Sequence, residues 1–219
     1  LSDFNATGSR ELVAEDYVYQ IKRLAHPKTQ SPIAEMMKNY IVGFGEFSEK
    51  VKQLPKTAIR DLPMSGVTAI SRYTYRIRIT GKYPQFMYWL GMMFFAPMPW
   101  EADVFYDQPG LSDKNITLDW YPIVTGAYLL AENNPNRRMI LEKNPNFHLE
   151  TYPSEGEAED QKKGLLDDAG KPLRFIDKVI FMLEKETLPY WTKFLQGYFD
   201  ASGIASDNFD QAVQFTGSG

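Results

Sequence analysis

Apolar residues recur at helical spacing most clearly near the start of the chain. Ala14, Tyr17, Val18, Ile21, Leu24 and Ala25 fall on one face, and Glu15, Asp16, Gln20, Lys22 and Arg23 fall elsewhere. That spacing predicts an amphipathic helix over 14–26 packed on a core. Acidic residues open it and basic ones close it, as the helix dipole favours, and Pro27 stops it. Val13 stands where a serine or threonine would cap the first turn, so a weakly capped start is expected. Residues 31–40 read as a second helix with Pro32 at its first position. Gly43 and Gly45 break the chain, and 51–62 reads as a short helix and a loop ended by Pro63. Alternation then takes over: 67–70 and 74–80 are strands, the second with Tyr75, Ile77 and Ile79 on one face and Arg76, Arg78 and Thr80 on the other. A short helix over 84–90 and a polar loop over 107–119 follow.

The second half has the same mixture. Residues 122–147 read as a strand, a polar turn at Asn133-Asn-Pro-Asn136 and a second strand ended by Asn144-Pro145. Gly126 is placed to take a backbone conformation closed to other residues. Residues 151–174 mix Glu155, Glu157, Glu159, Asp160, Asp167 and Asp168 with Lys162, Lys163, Lys171 and Arg174, which reads as a solvated loop or insertion. A strand over 176–183 follows, with Val179, Phe181 and Leu183 on one face. A helix over 187–196 has Leu188, Trp191, Phe194 and Leu195 as its apolar stripe, and Gly197 ends it.

Composition narrows the function. With 219 residues and 43% hydrophobic, the chain can build a packed core. A net charge of −4 leaves no basic excess for a phosphate backbone, so nucleic acid is a poor partner. No apolar run is long enough to span a bilayer as a helix. Cysteine is absent, which removes disulfides, thiolate nucleophiles and zinc–thiolate sites together. The two histidines, His26 and His148, are not at metal-ligand spacing and read as structural and surface residues respectively. His26 sits at a helix C-terminus that favours a cation. No HExxH, GxSxG, P-loop or GxGxxG occurs. Asp and Glu are plentiful and none stands out, so carboxylate-pair chemistry stays open on the residues alone. Aromatics are abundant, with 14 Phe, 13 Tyr and 4 Trp, which suits core and ligand faces alike.

Five ordered segments carry a resemblance. Arg10-Glu-Leu-Val-Ala-Glu-Asp-Tyr-Val-Tyr-Gln-Ile-Lys-Arg23, Ser65-Gly-Val-Thr-Ala-Ile-Ser-Arg-Tyr-Thr-Tyr-Arg-Ile-Arg-Ile79, Thr125-Gly-Ala-Tyr-Leu-Leu130 with Glu142-Lys-Asn-Pro-Asn-Phe147, Phe175-Ile-Asp-Lys-Val-Ile-Phe181 and Gln196-Gly-Tyr-Phe-Asp200 are similar to signatures of extracellular solute-binding proteins of family 5. These are the peptide- and nickel-type receptors of ABC importers. Val13 and Tyr198 depart from the family pattern. The resemblance implies an α/β (mixed α+β) chain, part of the two-lobed periplasmic-binding-protein type II fold, with a mixed β-sheet and flanking helices. Residues 1–118 would form an accessory subdomain and 119–219 the central part of lobe one. The amino-terminal strands, the second lobe and the carboxy-terminal strands would be absent.

The implied function is capture of an oligopeptide or similar small solute and delivery to ABC permease subunits at the membrane, without catalysis, cofactor or metal. The full-length protein would be monomeric and periplasmic, or a cell-surface lipoprotein in a single-membrane bacterium. The segment after the Gly-x-x-Asp unit, Ala201, Ser202, Gly203 and Ile204, would offer main-chain hydrogen bonds to an extended peptide. Tyr40 would add an aromatic contact. Aromatic richness and many carboxylates motivate an alternative, a carbohydrate-binding or carbohydrate-processing module.

Overall fold

The computed structural model describes residues 8–213. The chain divides into two compact units between Ile123 and Val124, and each is described by itself.

The first unit is organised around α1 (Ala14–Ala25). Val18, Ile21, Leu24 and Ala25 are buried as the periodicity predicts, but so are Asp16, Gln20 and Lys22. The helix is therefore enclosed nearly all round, and its expected polar face is not a solvent face. Each buried polar group has a partner, as burial requires. Asp16 meets Arg10, the Gln20 amide donates to Phe94 O at 2.7 Å, and Lys22 Nζ donates to Arg60 O at 2.7 Å. The start of α1 is better held than Val13 suggests: the Asp16 carboxylate accepts the Val13 N–H at 2.9 Å, half of a capping box.

Pro32 sits in the turn before α2 (Ala34–Tyr40), which begins two residues later than expected; Ala34 N–H closes that turn on Ser31 O at 3.2 Å. Gly45, expected to break the chain, lies inside α3 (Phe44–Val51), and the helix ends where the sequence reading began one. The reason is the buried set Phe44, Phe47 and Val51, at spacings of three and four residues. Gly43, with φ of 74°, opens that helix, and a Cβ there would lie 2.1 Å from Ser65 Oγ.

Strands β1 (Val67–Ser71) and β2 (Thr74–Ile77) form an antiparallel ribbon with Val67 opposite Ile77. Tyr75 turns inward and stacks on Tyr17 with ring centroids 5.1 Å apart. Three short helices follow: α4 (Phe86–Leu90), α5 (Trp100–Tyr106) and, inside the expected polar loop, α6 (Pro109–Ser112).

The second unit holds β3 (Tyr128–Asn134), β4 (Arg138–Lys143) and β5 (Lys178–Met182), in the order β3-β4-β5. The two stretches that carry the later sequence signatures thus share one sheet. Both pairings are antiparallel, so the expected mixing of strand directions is not seen among the described strands. A short turn obliges β3 and β4 to pair that way. The charged stretch between β4 and β5 folds back on itself and returns the chain to the same end of the sheet. In it Tyr152 N–H donates to Lys171 O at 2.9 Å and Gly170 N–H to Tyr152 O at 3.0 Å, and it contains α7 (Ala158–Lys162). It is exposed, as expected, and of the two expected forms, loop or insertion, it takes the second, a closed excursion.

Asn144 explains the end of β4. It is buried; its amide donates to Gly126 O at 2.9 Å, its side-chain oxygen accepts from Asn146 N–H at 3.0 Å, and its backbone N–H donates to Ala127 O at 2.9 Å. Gly126 is not among the residues with positive φ, and an added Cβ there would meet nothing within 4 Å. The expected conformational need at Gly126 is absent; its carbonyl is what is used.

Helix α8 (Thr187–Leu195) ends at Gly197, φ 79°, with Tyr198 N–H on Lys193 O at 2.9 Å and Gly197 N–H on Phe194 O at 2.9 Å, a Schellman ending. Its expected stripe is only partly buried. Trp191 is 6% exposed, whereas Leu188 and Leu195 are 63% and 62% exposed. On β5, Ile180 and Phe181 are exposed too, as is Leu183 just past its end. A last short helix, α9 (Phe209–Ala212), follows.

Candidate functional site

The segment 201–204 lies beyond the end of α8 and belongs to no regular element. Tyr190, on α8, packs its ring 4.8 Å from that of Phe199 and donates its hydroxyl to Ala201 O at 3.2 Å. Ser202 Oγ donates to Gly203 O at 2.9 Å. Among the described residues, none of the four N–H groups of 201–204 has a hydrogen-bond partner. Gly203 and Ile204 are exposed, and a Cβ at Gly203 would meet nothing within 4 Å. The segment is a short, propped, open run of main-chain groups. Backbone groups of this kind bond to whatever polar chain or water reaches them.

Tyr40 closes α2 in the first unit, so it and 201–204 belong to different units. Its ring stacks on Tyr83 with centroids 4.2 Å apart and 15° between planes, and its carbonyl accepts Thr80 N–H at 2.8 Å. One ring face is therefore already covered. Beside Tyr83 lies an apolar groove of about 520 Å³, lined by Ile77, Ile79, Phe86, Met87 and Leu90.

Sequence reasoning missed a larger cleft of about 710 Å³ on the same unit, lined by Arg10, Lys22, Arg60, Trp100 and Glu101 among others. Arg10 clamps two buried carboxylates: Nε and Nη2 donate to Glu101 at 2.9 and 3.0 Å, and Nη1 and Nη2 donate to Asp16 at 3.0 and 2.5 Å. Hydrogen bonding to Asp16 first, then to Glu101, holds the guanidinium well above its ordinary range. Next to it, Tyr19 donates to Asp103 at 2.8 Å, and Arg23 also reaches Asp103 at 2.9 Å. Burial, followed by the Asp103 charge, pushes the Tyr19 phenol far up. Burial also pulls the Lys22 amine down. Arg60 lies 4.0 Å over the Trp100 ring. No pattern in the sequence joins residues 10, 16 and 101; only the fold does.

His26 is buried, and its environment reverses the cation expected there. Nδ1 accepts Lys28 N–H at 3.1 Å and Nε2 faces Leu54 O at 3.1 Å, which fixes a neutral ring with its proton on Nε2. Burial lowers its pKa. His148 is exposed and 2.7 Å from Glu150. Among the described residues no cluster of His, Asp or Glu could hold a metal ion, and no helix is long and apolar enough to cross a membrane.

The chain is similar to known proteins. The family model for bacterial extracellular solute-binding proteins, family 5 Middle, matches residues 7–216. The periplasmic oligopeptide-binding protein OppA of Escherichia coli is 29% identical over 137 residues, covering 62% of this chain and 23% of that protein. A periplasmic oligopeptide-binding protein of Borrelia burgdorferi superposes with a TM-score of 0.65 at 18% identity, over 94% of this chain and 34% of that one. OppA of Haemophilus influenzae, solved in complex with the peptide RPPGFSPFR, gives 0.63 at 17% identity, over 94% and 34%. These structures are two-lobed periplasmic binding proteins of type II fold. The chain belongs to the family 5 bacterial extracellular solute-binding proteins. It spans about a quarter of the curated relatives' length and a third of the solved ones.

Proposed function

We propose that this chain is part of the substrate-binding component of an ABC importer, which captures an oligopeptide or similar small solute outside the cytoplasmic membrane and passes it to permease subunits. The observation that carries the reading is the open main chain of Ala201, Ser202, Gly203 and Ile204, in a chain of a solute-binding family. An extended peptide pairs with such groups whatever its side chains. Residues 1–118 act as the accessory subdomain and 119–219 as the central part of lobe one, with Tyr40 as an aromatic contact. Binding and closure, without chemistry on the solute, are the function; the full-length protein works as a periplasmic or surface-anchored monomer.

Native mass spectrometry of the full-length protein from its host, followed by thermal melts with the recovered solute, tests the reading. Co-purified peptide that raises the melting temperature supports it. Glycan turnover abolished by a single carboxylate substitution would sink it.

A further inference from the structure

The chain has nine methionines and no cysteine, so thioethers are its oxidisable sulfur. Three of the nine are exposed, and all three lie between residues 87 and 93: Met93 is 83% exposed, Met87 70% and Met92 44%. Met37, Met64 and Met98 are buried, and Met36, Met139 and Met182 are half-buried. The exposed side chains do not hold their own segment. Phe86 and Phe95 anchor it, both buried and packed edge to face with ring centroids 6.4 Å apart. The backbone closes its own turns, with Met92 N–H on Trp89 O at 3.0 Å and Ala96 N–H on Met93 O at 3.2 Å. Met87 also lines the apolar groove beside Tyr83, together with Ile77, Ile79 and Leu90.

We propose that Met87, Met92 and Met93 form an oxidant-scavenging site for hydrogen peroxide. In each, the thioether sulfur attacks one peroxide oxygen: the S–O bond forms as the O–O bond breaks, and the leaving hydroxide takes the proton of the transferred oxygen and departs as water. Sulfur is oxidised to the sulfoxide and the peroxide is reduced. Peroxide has to reach the sulfur through solvent, so these three react before the buried ones. A sulfoxide is polar and disrupts a core when it forms inside one. At 87, 92 and 93 it forms in solvent, on a segment that two phenylalanines hold. The oxygen is therefore taken up without unfolding, and it stays within reach of a sulfoxide reductase. At Met87 it also puts a polar oxygen on the wall of the apolar groove. The inference is independent of which solute the protein carries.

Peptide mapping by mass spectrometry, on the full-length protein sampled over time in dilute hydrogen peroxide, tests it. Sulfoxide should form at Met87, Met92 and Met93 at least about tenfold faster than at Met37, Met64 and Met98. After that fast phase the melting temperature should be unchanged, and reductases for both sulfoxide epimers should restore the original mass. Replacing all three by leucine should remove the fast phase and keep the melt, since leucine conserves volume. At limiting peroxide, the same variant should carry more sulfoxide at Met36, Met139 and Met182 than the native protein does. If the triple variant fails to fold, Met93→Leu alone, at the most exposed position, should remove one of the three fast oxygens. Equal rates at all methionines, protection of 87–93 in the full-length protein, or a lowered melt after the fast phase overturns the proposal. So does unaltered oxidation of Met36, Met139 and Met182 in the leucine variant, which would leave exposure without scavenging.

Discussion

Replacing Arg10 by methionine removes the guanidinium between Asp16 and Glu101 while keeping an extended, flexible side chain in its place. The two carboxylates expose 4% and 2% of their side chains, so water cannot take over. Removing one partner of a buried pair costs about 3–5 kcal/mol. Asp16 keeps the Val13 N–H, which puts Arg10→Met near the middle of that range, about 4 kcal/mol, a large share of the roughly 5–15 kcal/mol that holds a domain together. Glu101→Gln is milder, about 1–2 kcal/mol, because Arg10 retains both bonds to Asp16. The double variant then loses less than the sum by at least about 1 kcal/mol, since the second change removes the charge that the first left stranded. Urea unfolding followed by tryptophan fluorescence and far-ultraviolet circular dichroism measures all three. A loss under about 1 kcal/mol for Arg10→Met, or additivity within about 0.5 kcal/mol, would refute the reasoning.

Other outcomes follow from single positions. Burial lowers the His26 pKa below its ordinary 6.5, so the unfolded chain takes up a proton first as pH falls. The stability this ring contributes is complete above 6.5 and is lost as pH drops toward the folded-state value; His26→Gln should flatten the melting temperature between neutral and mildly acidic pH. Gly66→Ala should be more damaging than Gly43→Ala. A Cβ at Gly66 lies 2.0 Å from the Val42 carbonyl, which cannot step aside, whereas the one at Gly43 meets the Ser65 hydroxyl, so Ser65→Gly should restore part of the Gly43→Ala loss and none of the Gly66→Ala loss. Asn144→Ala strands the Gly126 carbonyl and the Asn146 N–H and should cost about 2–3 kcal/mol by denaturant midpoint. Gly203→Pro removes one main-chain donor at an exposed position and should reduce peptide-dependent stabilisation of the full-length protein while leaving the unliganded melt unchanged; unaltered stabilisation would remove 201–204 from the site.

What the sequence made legible was periodic. Helix α1 and the ribbon β1–β2 each repeat one pattern long enough to be read, while the turn cluster at 133–136 marks the hairpin β3–β4 and Gly197 the end of α8 by their chemistry. Helix α3 was missed because two glycines near its start resemble a break, yet one is its cap and the other is tolerated inside it. Asp16, Gln20 and Lys22 look solvent-facing by residue type; they are buried because Arg10, Phe94 and Arg60 supply partners from distant parts of the chain. Leu188 and Leu195 failed in the other direction: spacing marks an apolar face but does not show that anything covers it. At the candidate site, the family resemblance pointed to 201–204 and Tyr40. The lack of partners, among the described residues, for the N–H groups of 201–204 and the Tyr83 ring against Tyr40 appear only in three dimensions.

The hairpin β3–β4 carries one irregularity with an outsized effect. Leu130 faces Leu141 while Glu132 faces Ile140, so Ala131 is an extra residue with no opposite number. In an unbroken strand Leu130 and Glu132 would point to the same side. The extra residue shifts the phase, and beyond it Glu132 shares a side with Ile140 and Arg138, which grips its carboxylate at 3.0 and 2.9 Å. Ala131 thus works as a reading-frame shift written in backbone: a regular ladder that set it opposite Ile140 would place Glu132 opposite Met139, turn that arm over and separate the ion pair.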